Sequence, residues 1–129
     1  MDLRLPAMTG VLTAEGTSVP AGIYVRLGGT AELPSATGLG EFLGTLHLEA
    51  TRLAATRVEV DLRALTFMNS SCFKQLVTWI AKLEQLPEAS QYRVVFRLNP
   101  ALRWQHASLE ALRCFAADHV EIELGAGSA

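Results

Sequence analysis

The chain has 129 residues, half of them apolar and 19% charged, with a formal net charge of −2, which suits one ordinary domain with a single buried core and excludes a disordered chain. No long run of Lys or Arg is present, so the basic footprint that displaces counterions from nucleic acid is missing, and an anionic membrane surface is disfavoured for the same reason. The longest apolar-leaning segment, 73–86, is interrupted by Lys74, Gln75, Lys82, Glu84 and Gln85, and the opening MDLRLPAMTG resembles neither a signal peptide nor an anchor, so no membrane association and a cytoplasmic location are expected.

Residues 11–14 predict a first short strand. Residues 23–27 predict a second, with Ile23, Val25 and Leu27 alternating against Tyr24 and Arg26. The stretch 16–20 joins them as a hairpin, and Gly28-Gly29 is expected to break the second strand. Leu39, Phe42, Leu43, Leu46, Ala50 and Leu53 then recur at helical spacing, with Ser35 or Thr37 as cap after Pro34 and glycines at 38, 40 and 44 weakening the early turns.

Val58, Val60 and Leu62 alternate with Glu59 and Asp61, a strand with one covered face. A loop over 63–69 leads to Ser70-Ser71, after which Phe73, Leu76, Val77, Ile80 and Leu83 form one face of a helix over 72–86 that ends near Pro87. Residues 92–98 predict a strand with Arg93 and Arg97 pointing outward to solvent. Asn99-Pro100 turns into a helix carrying Trp104, Ser108, Ala111, Leu112 and Phe115, and Val120, Ile122 and Leu124 make a last strand with Glu121 and Glu123 exposed. Cys72 and Cys114, both within apolar helical patterns, are expected to be reduced and buried.

The order β, β, α, β, α, β, α, β predicts a single α/β domain over residues 1–125, followed by a loose tail at 126–129. Its sheet is mainly parallel, with an N-terminal hairpin strand and helices packed on at least one face. Such sheets place functional loops at the carboxyl ends of their strands, and the loop after Leu62 is one of these.

The stretch VEVDLRALTFMNSSCFKQLVTWI resembles the centre of STAS domains, the fold of anti-sigma-factor antagonists. Those proteins carry an apolar strand ending in Asp, a short loop, an apolar pair, Asp-Ser-Ser-Gly and a helix. Here Asp61 ends the strand, Phe67-Met68 supplies the pair, and Asn69-Ser70-Ser71-Cys72 occupies the switch positions. The resemblance extends in pattern to the strand closing on Gly28-Gly29, the helix before the central strand and the helix–strand ending after Pro100. Two positions depart from it: Asn69 stands for the usual Asp and removes a negative charge beside the serines, and Cys72 stands for the usual Gly.

The resemblance implies a phosphorylation-controlled signalling adaptor in a partner-switching pathway. A histidine-kinase-like switch kinase would phosphorylate Ser70, the position matching the family's modified serine, or Ser71, and a PP2C-like phosphatase would reverse it. The partner-binding surface would comprise Phe67, Met68, Asn69, Ser70, Ser71, Cys72, Lys74 and Gln75. The motif has its own physical logic, because backbone N–H groups and the dipole at a helix start favour an added phosphate of about −1.5 to −2 charges. The plainer reading is an ordinary N-cap, for which Asn and Ser are preferred residues, and both readings can hold together. The rival function is a sensor module whose helix start holds a small anion or nucleotide.

Other residues offer less. His47 reads as a boundary residue of the first helix, and His106 and His119 lack partners at metal-ligand spacing. Trp79 and Trp104 read as core or boundary. An enzyme is not expected: Gly-x-Ser-x-Gly is absent, with Met68 and Cys72 where the glycines belong, and there is no Gly-rich phosphate loop. No cofactor is implied.

Overall fold

The computed structural model describes residues 2–124; the tail expected at 126–129 lies outside them. Strand β1 (Leu12–Val19) turns back into β2 (Gly22–Ala31), and α1 (Ala36–Arg52), β3 (Arg57–Met68), α2 (Ser70–Glu84), β4 (Arg93–Leu98), α3 (Arg103–Phe115) and β5 (Val120–Leu124) follow. The sheet has five strands in the order β1-β2-β3-β4-β5. The β1–β2 pair is antiparallel and every later pair is parallel. This is the single α/β domain that the element order predicts.

The hairpin is tighter than its sequence suggests. Val19 pairs with Gly22, so Pro20 and Ala21 alone make the turn, with Ala21 at a φ of 65°. Gly16 sits inside β1 instead of in the turn. Nor does Gly28-Gly29 end β2. Gly29 has a φ of +85°, and a Cβ there would lie 2.1 Å from the Val11 carbonyl oxygen, so glycine lets the strand pass through a register shift and continue to Ala31.

Three successive crossovers run in one direction, and with the usual single hand they put all three helices over one core on one face of the sheet. The core beneath them joins Ile23, Val25, Val58, Val60, Leu62, Val94 and Phe96 of the strands to Leu39, Leu43 and Leu46 of α1, Leu76, Ile80 and Leu83 of α2, and Leu109 and Leu112 of α3. Within it Trp79 Nε1 donates to Tyr92 Oη at 2.9 Å, and Tyr92 Oη lies 2.7 Å from His47 Nδ1. Indole nitrogen can only donate, so the Tyr92 hydroxyl accepts from Trp79 and has its own proton left to donate to His47 Nδ1 in the tautomer that leaves that nitrogen bare. That assignment needs a neutral imidazole, and burial followed by the nearby Lys82 charge does lower the His47 pKa.

The other sheet face is uncovered and polar. Arg97 Nη2 bridges Glu59 at 2.8 Å and Glu123 at 3.3 Å, Arg57 lies at 3.6 and 3.7 Å from the same two residues, and Arg93 pairs with Glu121. Arg93, Arg97, Glu121 and Glu123 are therefore tied to one another across strands rather than simply solvated. Val95, flanked by the two arginines of its strand, is fully buried under them.

Two further expectations change. The buried positions of α3 are Gln105, Leu109 and Leu112, one step out of phase with the expected stripe, and Phe115 is exposed. Cys72 is buried, but Cys114 is exposed. Among the described residues no helix is long and apolar enough to cross a membrane.

Candidate functional site at the start of the second helix

The segment expected as a loop over 63–69 is instead the second half of β3, which runs to Met68. What the sequence conceals is a bulge. The register of β2 against β3 slips between Arg26 and Gly28, and β3 pairs with β4 only as far as Asp61. The Asp61 carboxylate holds this irregularity. It accepts from the Arg63 backbone amide at 3.0 Å, from Arg63 Nε at 3.0 Å and Nη2 at 2.9 Å, and from the Tyr24 hydroxyl at 2.5 Å. Burial pushes the Asp61 pKa up, but the hydrogen bonds from the Arg63 side chain, Tyr24 and the Arg63 amide outweigh it and hold the group at about 2.

Beyond the bulge β3 has lost β4 as a neighbour, and side chains take over. Gln105 Nε2 donates to the Leu62 and Leu65 carbonyls at 2.6 and 2.8 Å, while its Oε1 accepts from the Asn99 amide at 2.8 Å. Asn99 Nδ2 reaches the Arg63 carbonyl, and Trp104 Nε1 donates to the Thr66 carbonyl at 2.9 Å. Gln105 is fully buried. Sequence reasoning missed it; its signal was a polar residue in phase with Leu109 and Leu112.

The strand so held delivers Asn69 to the start of α2. Asn69 is extended (φ −81°, ψ 170°) and its side chain accepts from the Cys72 amide at 2.9 Å, making it the N-cap. Its own amide donates to the Ala31 carbonyl at 2.9 Å, which ties the β3–α2 junction to the end of β2. Ser70 is the first helical residue and is exposed; Ser71 is half-buried. Their amides are among those a helix start leaves without helical acceptors. The role of cap thus belongs to Asn69, leaving both serine hydroxyls outside it.

The remaining residues of the expected surface divide by depth. Phe67 is 49% exposed, Lys74 is exposed, and Met68 is half-buried. Gln75 is half-buried and lies over α1, where a Cβ on Gly40 would come within 2.5 Å of Gln75 Oε1. Cys72 is fully buried, its Sγ 3.3 Å from the Glu32 carbonyl, so it lies beneath the surface formed by the others. Leu33, which the sequence did not single out, is 64% exposed on the short 3-10 turn Leu33–Ser35. That turn follows β2, so it stands at the same end of the sheet as Phe67.

His47 is engaged by Tyr92, His119 by Gln91 and Glu84, and His106 by Glu110; none of these imidazoles is bonded to Ser70 or Ser71. Among the described residues no group of three or more His, Cys, Asp or Glu is placed to hold a metal ion.

No protein-family model matches the sequence, and no curated protein matches it. Its structure is similar to the crystal structure of an anti-sigma factor antagonist from Mycobacterium paratuberculosis, with a TM-score of 0.58 and 21% sequence identity over 88% of this chain and 84% of that one. The chain therefore has the STAS-type fold.

Proposed function

We propose that this protein is a non-catalytic partner-switching adaptor whose docking surface surrounds the start of α2 and is controlled by phosphorylation of Ser70. The observation that carries the reading is the exposed Ser70 hydroxyl at the first helical position, beside a separate cap. A phosphate there meets unpaired backbone amides and the positive end of the helix dipole, so the fold tolerates it. A partner lying across Phe67 and Leu33 would instead have to desolvate that charge against apolar surface, which is costly. The likeness in fold to an anti-sigma factor antagonist supports a regulatory protein as the partner. The family resemblance of the Phe-Met-Asn-Ser-Ser segment supports a histidine-kinase-like switch kinase and a PP2C-like phosphatase. Ser71, half-buried in the same turn, is the second candidate for modification.

The test is affinity capture with wild-type protein, Ser70→Asp and Ser71→Asp, followed by incubation of the captured protein with ATP and mapping of the modified residue. A kinase that binds the wild type, is lost from Ser70→Asp and labels Ser70 supports the reading. Labelling of neither serine overturns it.

A further inference from the structure

A cleft of about 360 Å³ opens on the uncovered sheet face, lined by Arg26, Asp61, Arg63, Ala64 and Asn99. It lies where the bulge carries β3 away from β4, beside Asn99 at the carboxyl end of β4. The volume is on the order of ten water molecules' share of the liquid, so an oxyanion and an organic group fit together.

Its charges do not cancel. Asp61 is spent, since its carboxylate already takes bonds from Tyr24 and, three times over, from Arg63. Arg63 uses Nε and one terminal nitrogen in that pairing and keeps its other terminal nitrogen. Arg26 faces Glu15 across β1 and Asp61 across β3, yet it forms no ion pair among the described residues and is exposed. Among the lining side chains two guanidinium groups stand against one carboxylate, a surplus of one positive charge, with Glu15 opposite Arg26 on β1 outside the lining.

We propose that this cleft binds a small phosphate monoester, with the phosphoryl group on the Arg26 fork and the free edge of Arg63 and the organic part against Ala64. A phosphate monoester brings about −1.5 to −2 charges and three acceptor oxygens, enough to engage two guanidinium groups at once. A carboxylate brings one charge and two oxygens, which the planar fork of Arg26 satisfies alone. The site is separate from the start of α2, so it stands or falls independently of the adaptor reading.

The experiment is amide chemical-shift titration of the full chain with ribose 5-phosphate, ribose, inorganic phosphate and succinate. Saturable shifts at Gly28, Ala64 and Asn99 are expected with ribose 5-phosphate, weaker ones at the same amides with inorganic phosphate, and none with ribose. Arg26→Gln should weaken binding about tenfold or more, and Ala64→Leu, which narrows the cleft from an exposed position, should block it should the arginine variant misfold. Ser70→Asp should bind as wild type does. The proposal is overturned by an absence of saturable shifts, by shifts confined to residues 70–73, by succinate binding as tightly, or by undiminished binding in both cleft variants.

Discussion

Two buried side chains show how single polar atoms hold this molecule together. Tyr92 stands between Trp79 and His47, so Tyr92→Phe leaves the Trp79 N–H buried without an acceptor. That change should cost about 1–3 kcal/mol, read as a lowered urea midpoint; an unchanged midpoint would mean that Trp79 finds another partner. Asp61 makes a claim about pH. Its carboxyl is held at about 2, below its ordinary 3.8, so the folded state gains stability from the ionised form above pH 4 or so. That gain, about 2 kcal/mol by linkage, is lost as pH falls from there towards 2. Unfolding curves at stepped pH should show the loss in wild type and a shallower dependence in Asp61→Asn. Equal slopes would remove Asp61 from the account of acid stability.

Among the elements, α1 follows its expected stripe most closely; in α2, Leu76 and Ile80 are fully buried while Phe73 and Val77 are half-buried. Truncating Leu76 or Ile80 to Ala should destabilise the fold by roughly 2–4 kcal/mol, measured by urea unfolding, and a smaller effect at both would contradict the packing. Asn69 was legible as the cap because an Asn before a run of helical spacing has few other uses. The second half of β3 was not legible. Asp61 and Leu62 are buried in succession, which breaks the alternation that marks a strand, and the bulge responsible is held by Tyr24, Arg63 and Gln105, residues remote in sequence or unremarkable locally. The phase of α3 was misread for a related reason: Phe115 is apolar but exposed, whereas Gln105 is polar but fully buried. Gln105→Leu tests its part in the strand, since it strips the Leu62 and Leu65 carbonyls of their donor. Faster amide exchange through 64–69, with α1 unchanged, is the expected outcome; uniform exchange would show that the strand does not depend on Gln105.

For the molecule as a whole, the division of labour between the two sheet faces frames the functional reading. The helix-covered face supplies the core, and the end where Phe67, Leu33 and Ser70 emerge supplies the proposed docking surface. The distinction between a structural serine and a switch serine is now sharp, because Asn69 performs the capping and Ser70→Ala should cost the fold little. Ser70→Asp places an acid at the helix N-terminus, where it stabilises by roughly 0.3–1 kcal/mol. The decisive measurement pairs thermal unfolding of wild type, Ser70→Ala and Ser70→Asp with titration of each against the captured kinase. Expected are near-equal unfolding temperatures for wild type and Ser70→Ala, one equal to or a few degrees higher for Ser70→Asp, wild-type affinity for Ser70→Ala, and affinity weakened about tenfold or more for Ser70→Asp, equivalent to about 1.4 kcal/mol. A Ser70→Asp protein that unfolds, or that is folded and binds as tightly as wild type, would contradict the adaptor reading.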